Sequence, residues 1–228
     1  MVLTKNRIRG LGVVAGLVGP LLLTVYFAAP ALTGWPYAGA TPDSLIRYAR
    51  SHELLFYAGG WLQATGALLS ILFFLVLLHL SEAQGRLEGS ATLVGAALLL
   101  SVVVVEAALL EAVPLAAEAG DRATVATSFA LSNGVFARIF PLAPAPLLFA
   151  GIGFTLLRSG VLHRGFAISA LAVAVLFEIA GIAAIFGTAG LVFAIVMSVV
   201  EAIWIAAAAL GLALTRREGR LRDMSPPA

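Results

Sequence analysis

Five ionisable side chains stand inside long apolar runs of this 228-residue sequence: Glu106, Glu111, Arg138, Glu178 and Glu201. A carboxyl in such a place can pass on a proton, hold a cation or hydrogen-bond as an acid, and a guanidinium can act as its counter-charge. A charge at mid-bilayer costs between about 2.5 and more than 10 kcal/mol, so these groups belong in a bundle interior or a wet cavity. The acids outnumber Arg138, and those left unpaired need a proton, water or a cation. At 1.5 Å per helical residue, Glu178 and Glu201 lie roughly 20 Å above the basic end of their helices, Glu106 roughly 24 Å, Gln63 roughly 25 Å and Arg138 roughly 28 Å. The expected site is therefore a polar pocket in one half of the bundle. It is lined by Glu106, Glu178, Glu201, Arg138 and Gln63, with Trp204, one turn from Glu201, as an aromatic wall. Glu178 shares a helix face with Ala174 and Gly181, small residues that let a neighbour approach. Glu111 is expected higher, beside Pro114 at the interface.

The elements that carry these residues follow from composition. Hydrophobic residues make up 61% of the chain and charged ones 11%, against about 45–50% and 25% in soluble domains. The mean hydropathy is +1.03. A soluble enzyme, a nucleic-acid binder and a disordered chain are excluded. Cys is absent, which removes disulfides, thiolate metal sites and Cys nucleophiles. A span needs about 20 apolar residues, and the stretches 11–33, 54–80, 91–116, 132–157, 165–187 and 189–214 qualify, with polar breaks between them that include a loop over 117–127. The first run, about 19 residues, exceeds the 7–15 of a signal core and reads as a span. The expected fold is an all-α, six-helix transmembrane bundle over 1–215, followed by a basic, disordered tail over 216–228.

Lys and Arg set the orientation. Lys5, Arg7, Arg9, Arg86, Arg158, Arg164, Arg216, Arg217, Arg220 and Arg222 fall on one side, and Arg47, Arg50 and Arg122 on the other. Both termini are thus expected in the cytoplasm and the protein in the inner (plasma) membrane. Pro42 to Glu53 reads as a short helix on the outer surface, capped by Asp43 or Ser44, with Trp35, Tyr37, Tyr48 and Tyr57 as an interfacial belt.

Pro141, Pro144 and Pro146 forbid a regular fourth helix and free carbonyls near Ala137, Phe140 and Leu142. Gly12, Gly16 and Gly19 mark tight helix packing. Val104-Val105-Glu106-Ala107 is echoed by Val199-Val200-Glu201-Ala202, as two oppositely oriented halves would produce. His52, His79 and His163 are too scattered for a metal set, and neither metal nor cofactor is expected. No phosphate loop, nucleophile elbow or zinc-protease motif occurs, and no Lys lies in a span to form a Schiff base.

Three stretches carry a likeness to a known family. They are Thr41-Pro42-Asp43 through Glu53 leading into Gly59-Gly60 and Gly66-Ala67, Glu106 within its apolar run, and Leu156 through Gly165 with its basic Arg158 and Arg164. On these the chain resembles a family of six-helix bacterial integral membrane proteins, a domain of unknown function. The resemblance implies the fold and no activity.

The residues support three functions. The first is proton- or cation-coupled binding or transport of a small cationic or amphipathic ligand, with Glu178 and Glu201 exchanging, Glu106 as partner and Arg138 as counter-charge. The second is an intramembrane enzyme acting on a lipid or isoprenoid, with Trp204 facing a carbocation; no catalytic residue is assigned. The third is a non-catalytic accessory subunit. The partners expected are the bilayer, such a ligand, and a second copy or membrane subunit against Gly/Ala faces.

Overall fold

The computed structural model describes residues 4–36 and 40–223. The elements are α1 (Lys5–Thr33), α2 (Pro42–Ser51), α3 (Glu53–Leu80), α4 (Leu87–Glu118), α5 (Arg122–Gly134), α6 (Pro144–Ser159), α7 (Arg164–Ala183) and α8 (Thr188–Asp223). A π-turn, Val135–Ile139, follows α5, and a 3₁₀ turn, Ala184–Phe186, follows α7. No strand occurs among the described residues. Six helical segments are long and apolar enough to cross a membrane, with α5, the π-turn and α6 together making the fourth. Tyr37 of the expected belt lies outside the described residues. The boundary expected at 215 falls inside α8, which continues to Asp223, and 224–228 of the tail lie outside the described residues.

The spans form a closed ring. α1 packs on α3, α3 on α4, α4 on α5 and α6, α6 on α7, α7 on α8, and α8 returns to α1. Burying helices in lipid yields little hydrophobic gain, so close backbone approach carries association instead. Glycines provide it at the seam. A Cβ on Gly16 would stand 2.7 Å from Phe73 and 2.8 Å from Ala209, and one on Gly19 would stand 2.8 Å from the Gly66 carbonyl. The glycine face of α1 is thus occupied within the chain. The outward faces stay apolar: Val14, Leu21, Val175, Ile182 and Ile203 are each at least 60% exposed, as lipid-facing positions would be.

The interior is layered. Towards the termini, Phe73, Phe74, Phe149 and Trp204 are buried together. At the opposite end, Leu45 and Ala49 of α2 pack with Phe56, Leu110, Val113 and Phe129. The Thr41 side chain, not Asp43 or Ser44, caps α2, accepting the Ser44 N–H at 3.4 Å. Pro42 favours this by taking the first helical position, where a missing N–H costs nothing. Arg50 donates through Nε and Nη2 to the Ala117 carbonyl at 2.9 and 2.7 Å, satisfying an end carbonyl of α4. Arg122 pairs with Asp43 at 2.7 Å in the open, a contact of small energetic weight. α2 is therefore the short surface helix expected here, with Leu45 and Ala49 docked on the end of the bundle. The link between α4 and α5 is tighter than the expected 117–127 loop. Asp121 caps α5, accepting the Ala123 and Thr124 N–H groups at 3.1 Å each. The Thr124 hydroxyl, the Thr124 N–H and the Ala123 N–H hold its carboxyl below the usual value.

Candidate functional site

Glu106 of α4 is 4% exposed and engaged on both oxygens. Gln63 of α3 donates from Nε2 to Oε2 at 2.6 Å, and Tyr26 of α1 donates its hydroxyl to Oε1 at 3.3 Å. Three adjacent helices are thereby tied at one carboxyl. Each donor comes from a side chain long enough to span the gap, so the helices need not place their Cα atoms at one depth. The other Gln63 amide atom, Oε1, is buried and accepts nothing among the described residues.

Glu201 enters from α8 at 6% exposure. Among the described residues its carboxyl has no hydrogen-bond or ion-pair partner. It shares a cavity of about 30 Å³ with Glu106, Gln63, Ser70 and Ser198. Both serines turn their hydroxyls onto their own helices, Ser70 to the Gly66 carbonyl at 2.9 Å and Ser198 to the Ala194 carbonyl at 3.0 Å. The space suits a water-sized occupant. Among the described residues no Lys, Arg or His lines it, so its described polar wall is rich in acceptors and holds no fixed cation. Each of the two echoed quartets sends its acid into this cavity, from antiparallel helices. Val104, Val105 and Val199 face outward at 52%, 52% and 36%, while Glu106, Ala107, Glu201 and Ala202 are buried.

Three of the expected site residues lie elsewhere. Trp204 is buried below the cavity, stacked on Phe74 at 6.0 Å and met edge-on by Phe149 at 5.3 Å. Its Nε1–H goes to Ser169 Oγ at 2.9 Å. Its π-face is covered by rings and cannot face a carbocation. Glu178 is exposed on the outward face of α7 beside Val175, Ile179 and Ile182, whereas Ala174 and Phe177 point inward. Sharing a face with Ala174 and Gly181 did not bury it, because the buried stripe of α7 runs one position away through Val173, Phe177 and Ala180. Arg138 pairs with none of the acids among the described residues. It opens instead into a separate cleft of about 380 Å³ with Asn133, Ala137 and Leu191. Glu111 lies half-buried against Gly60, where a Cβ would meet its Oε1 at 2.5 Å.

The proline run produces the local break. Pro141 supplies no N–H, the chain widens over Val135–Ile139, and the Phe140 N–H reaches the Val135 carbonyl at 3.1 Å. The Phe140 carbonyl, expected to be freed, is met by the Ala145 N–H at 3.3 Å. A widened turn displaces the face of later residues by about 100° per extra residue. Phe136 and Phe140 stack at 5.9 Å and both border the acid cavity, while Arg138 is turned away. A second cavity of about 80 Å³, lined by Glu106, Tyr26, Trp35, Asn133, Phe136 and Leu191 among others, lies between the acid cavity and the Arg138 cleft. It shares Glu106, Phe27 and Phe136 with the first, and Asn133 and Leu191 with the second.

Sequence reasoning missed Tyr26, Asn133 and Phe136. A hydroxylated ring inside the apolar run of α1 was the available sign for Tyr26. No family model, curated protein or solved structure matches the chain.

Proposed function

We propose that this membrane protein binds and exchanges a proton or a bare monovalent cation at Glu106 and Glu201, coupling that exchange to ligand movement or binding. The observation behind this is one cavity of about 30 Å³ holding two buried carboxyls and, among the described residues, no basic one. Their charge is balanced by something small that enters, because unpaired charge in an apolar interior is costly. Glu106 is held by two donors and is the fixed partner; Glu201, with none, is the exchanging group. An organic cation does not fit this volume, so any larger ligand belongs in another part of the molecule. The excess of Lys and Arg at the terminal end supports cytoplasmic termini in a plasma membrane. The α2 end then faces outward, and the cavity of about 80 Å³ reaches Glu106 from that side. The test is flux into proteoliposomes carrying a trapped pH dye, driven by an imposed potential and repeated with sodium and potassium. Loss of flux in Glu201→Gln, with Glu118→Gln unaffected, is expected. Equal flux in wild type and Glu201→Gln refutes the proposal.

A second reading, an accessory role, draws on Glu178. A carboxyl on an otherwise apolar, outward face of α7 is better placed against a partner helix offering a donor than against lipid. The chain has no Cys, so Val175→Cys cross-linking in native membranes is clean. A specific cross-linked product lost in Glu178→Leu supports the contact; no product from the wild-type background counts against it.

A further inference from the structure

Two charged sites of the bundle are separate: Glu106 and Glu201 occupy the small inner cavity, and Arg138 opens into the larger cleft near α2. That cleft is about 380 Å³ and no Asp or Glu lines it among the described residues. Arg138 is exposed there without a hydrogen bond or ion pair among the described residues. Asn133 donates one amide N–H to the Phe129 carbonyl at 2.9 Å, which leaves its second N–H for an acceptor. The remaining walls are apolar, Phe129, Leu45 and Leu191 beside the small Ala126, Ala130, Ala137 and Gly187 that make the room. Gly187 makes the tight reversal between α7 and α8 at φ +67°, a conformation that disfavours a side chain. Beside Arg138, Ile139 and Leu142 are 49% and 50% exposed on the outward surface, so the cleft borders the lipid-facing surface.

A planar guanidinium with free N–H groups in an apolar cleft matches oxyanions, which it can bind through two parallel hydrogen bonds. The volume lies in the range of small-molecule sites. We infer that this cleft binds the anionic head, carboxylate or phosphate, of a single-chain amphiphile, with Arg138 as its counter-charge and the apolar walls taking the start of the chain. The ligand expected from the excess of acids was cationic or amphipathic; the larger site, with Arg138 and no acid among its described lining, fits an amphiphile whose head is anionic. The binding site stands on the cleft alone. Its coupling to the inner acids, through the cavity that shares Asn133 and Leu191 with the cleft and Phe136 with Glu106, rests on the function proposed above.

The experiment is calorimetric titration of the purified full chain in a neutral maltoside detergent with dodecanoate, dodecyl phosphate and dodecyltrimethylammonium. One anion or both bind at one site, and which of them binds tighter separates a fatty-acid-like ligand from a phosphate-headed lipid. The ammonium does not bind. Arg138→Gln weakens anion binding at least about tenfold, the usual size of losing a charge-assisted contact, while Arg138→Lys restores part of it. Ala130→Phe, which fills the cleft and leaves the arginine, abolishes binding. Equal binding of the ammonium, or anion affinity unchanged in both Arg138→Gln and Ala130→Phe, overturns the inference. Glu201→Gln retains anion binding, so a failure of proton exchange and a failure of this site are read separately.

Discussion

At the scale of single residues, two carboxyls buried to a similar degree have different neighbours, and their substitutions should differ accordingly. Gln63→Leu strips a donor from a buried carboxyl and should cost about 1–3 kcal/mol, read as a lower midpoint in detergent unfolding. Glu201→Gln breaks no hydrogen bond among the described residues and should be neutral or stabilising, as substitutions at functional acids often are. Arg138→Gln should also leave stability almost unchanged, since no buried pair is broken. A large loss there would mean that Arg138 has a carboxyl partner. Asp121 gives a pH signature. Its carboxyl lies below the usual value because the native state donates hydrogen bonds to the charged form. That stabilisation is full above its unfolded pKa of about 3.9 and disappears as pH falls through the lower folded value. The difference in α5 amide protection between wild type and Asp121→Ala should therefore be constant near neutrality and vanish in strong acid. Glu106, Gln63 and Glu201 were legible as one set from type and depth alone. Glu178, Arg138 and Trp204 were misplaced because depth along a helix says nothing about the face a residue occupies. In a lipid-facing helix both faces are apolar, and no polar stripe reveals the inside.

Helices meet through small residues, and the effect of adding a side chain depends on the seam. Gly19 faces the Gly66 carbonyl and Ser70, whereas a Cβ on Gly10 meets nothing within 4 Å. Gly19→Leu should destabilise by about 1–3 kcal/mol through overpacking, and Gly10→Leu, in the same helix, should not. The midpoints of the two variants in one detergent check this. All six spans could be read from hydropathy; α1 begins six residues before its expected start, α8 continues past its expected end, and the fourth departs most. There the expected 117–127 loop contracted to a capped turn, because Asp121 starts α5 and Arg50 of α2 binds the end of α4. The break at Pro141 was foreseeable from the missing N–H. The widened turn before it, which decides where Phe136 and Arg138 point, was not, because either a kink or a π-turn relieves the same clash.

Over the whole molecule, a ring of six helices closed by α1 against α8 encloses a sealed aromatic half and a polar half. The cavity of about 80 Å³ and the Arg138 cleft lie between Glu106 and the α2 end, the acid cavity runs from Glu106 towards Ser70 and Phe74, and Phe149 and Trp204 fill the interior below it. Access to Glu106 should thus be one-sided. Asn133→Cys should react with a membrane-impermeant thiol reagent from the α2 side, and Phe149→Cys from neither side; the reverse pattern would invalidate the path. The central claim is that a buried carboxyl of the Glu106–Glu201 pair exchanges its proton or cation with solution. The most direct measurement is the infrared difference spectrum of the protein in lipid between acid and alkaline buffer, for wild type, Glu201→Gln and the Glu106→Gln/Glu201→Gln pair. The account predicts a carboxylic-acid carbonyl band that responds reversibly to pH or added sodium in the wild type and is missing in the double variant. A band that ignores both, or that survives the double substitution, would contradict it.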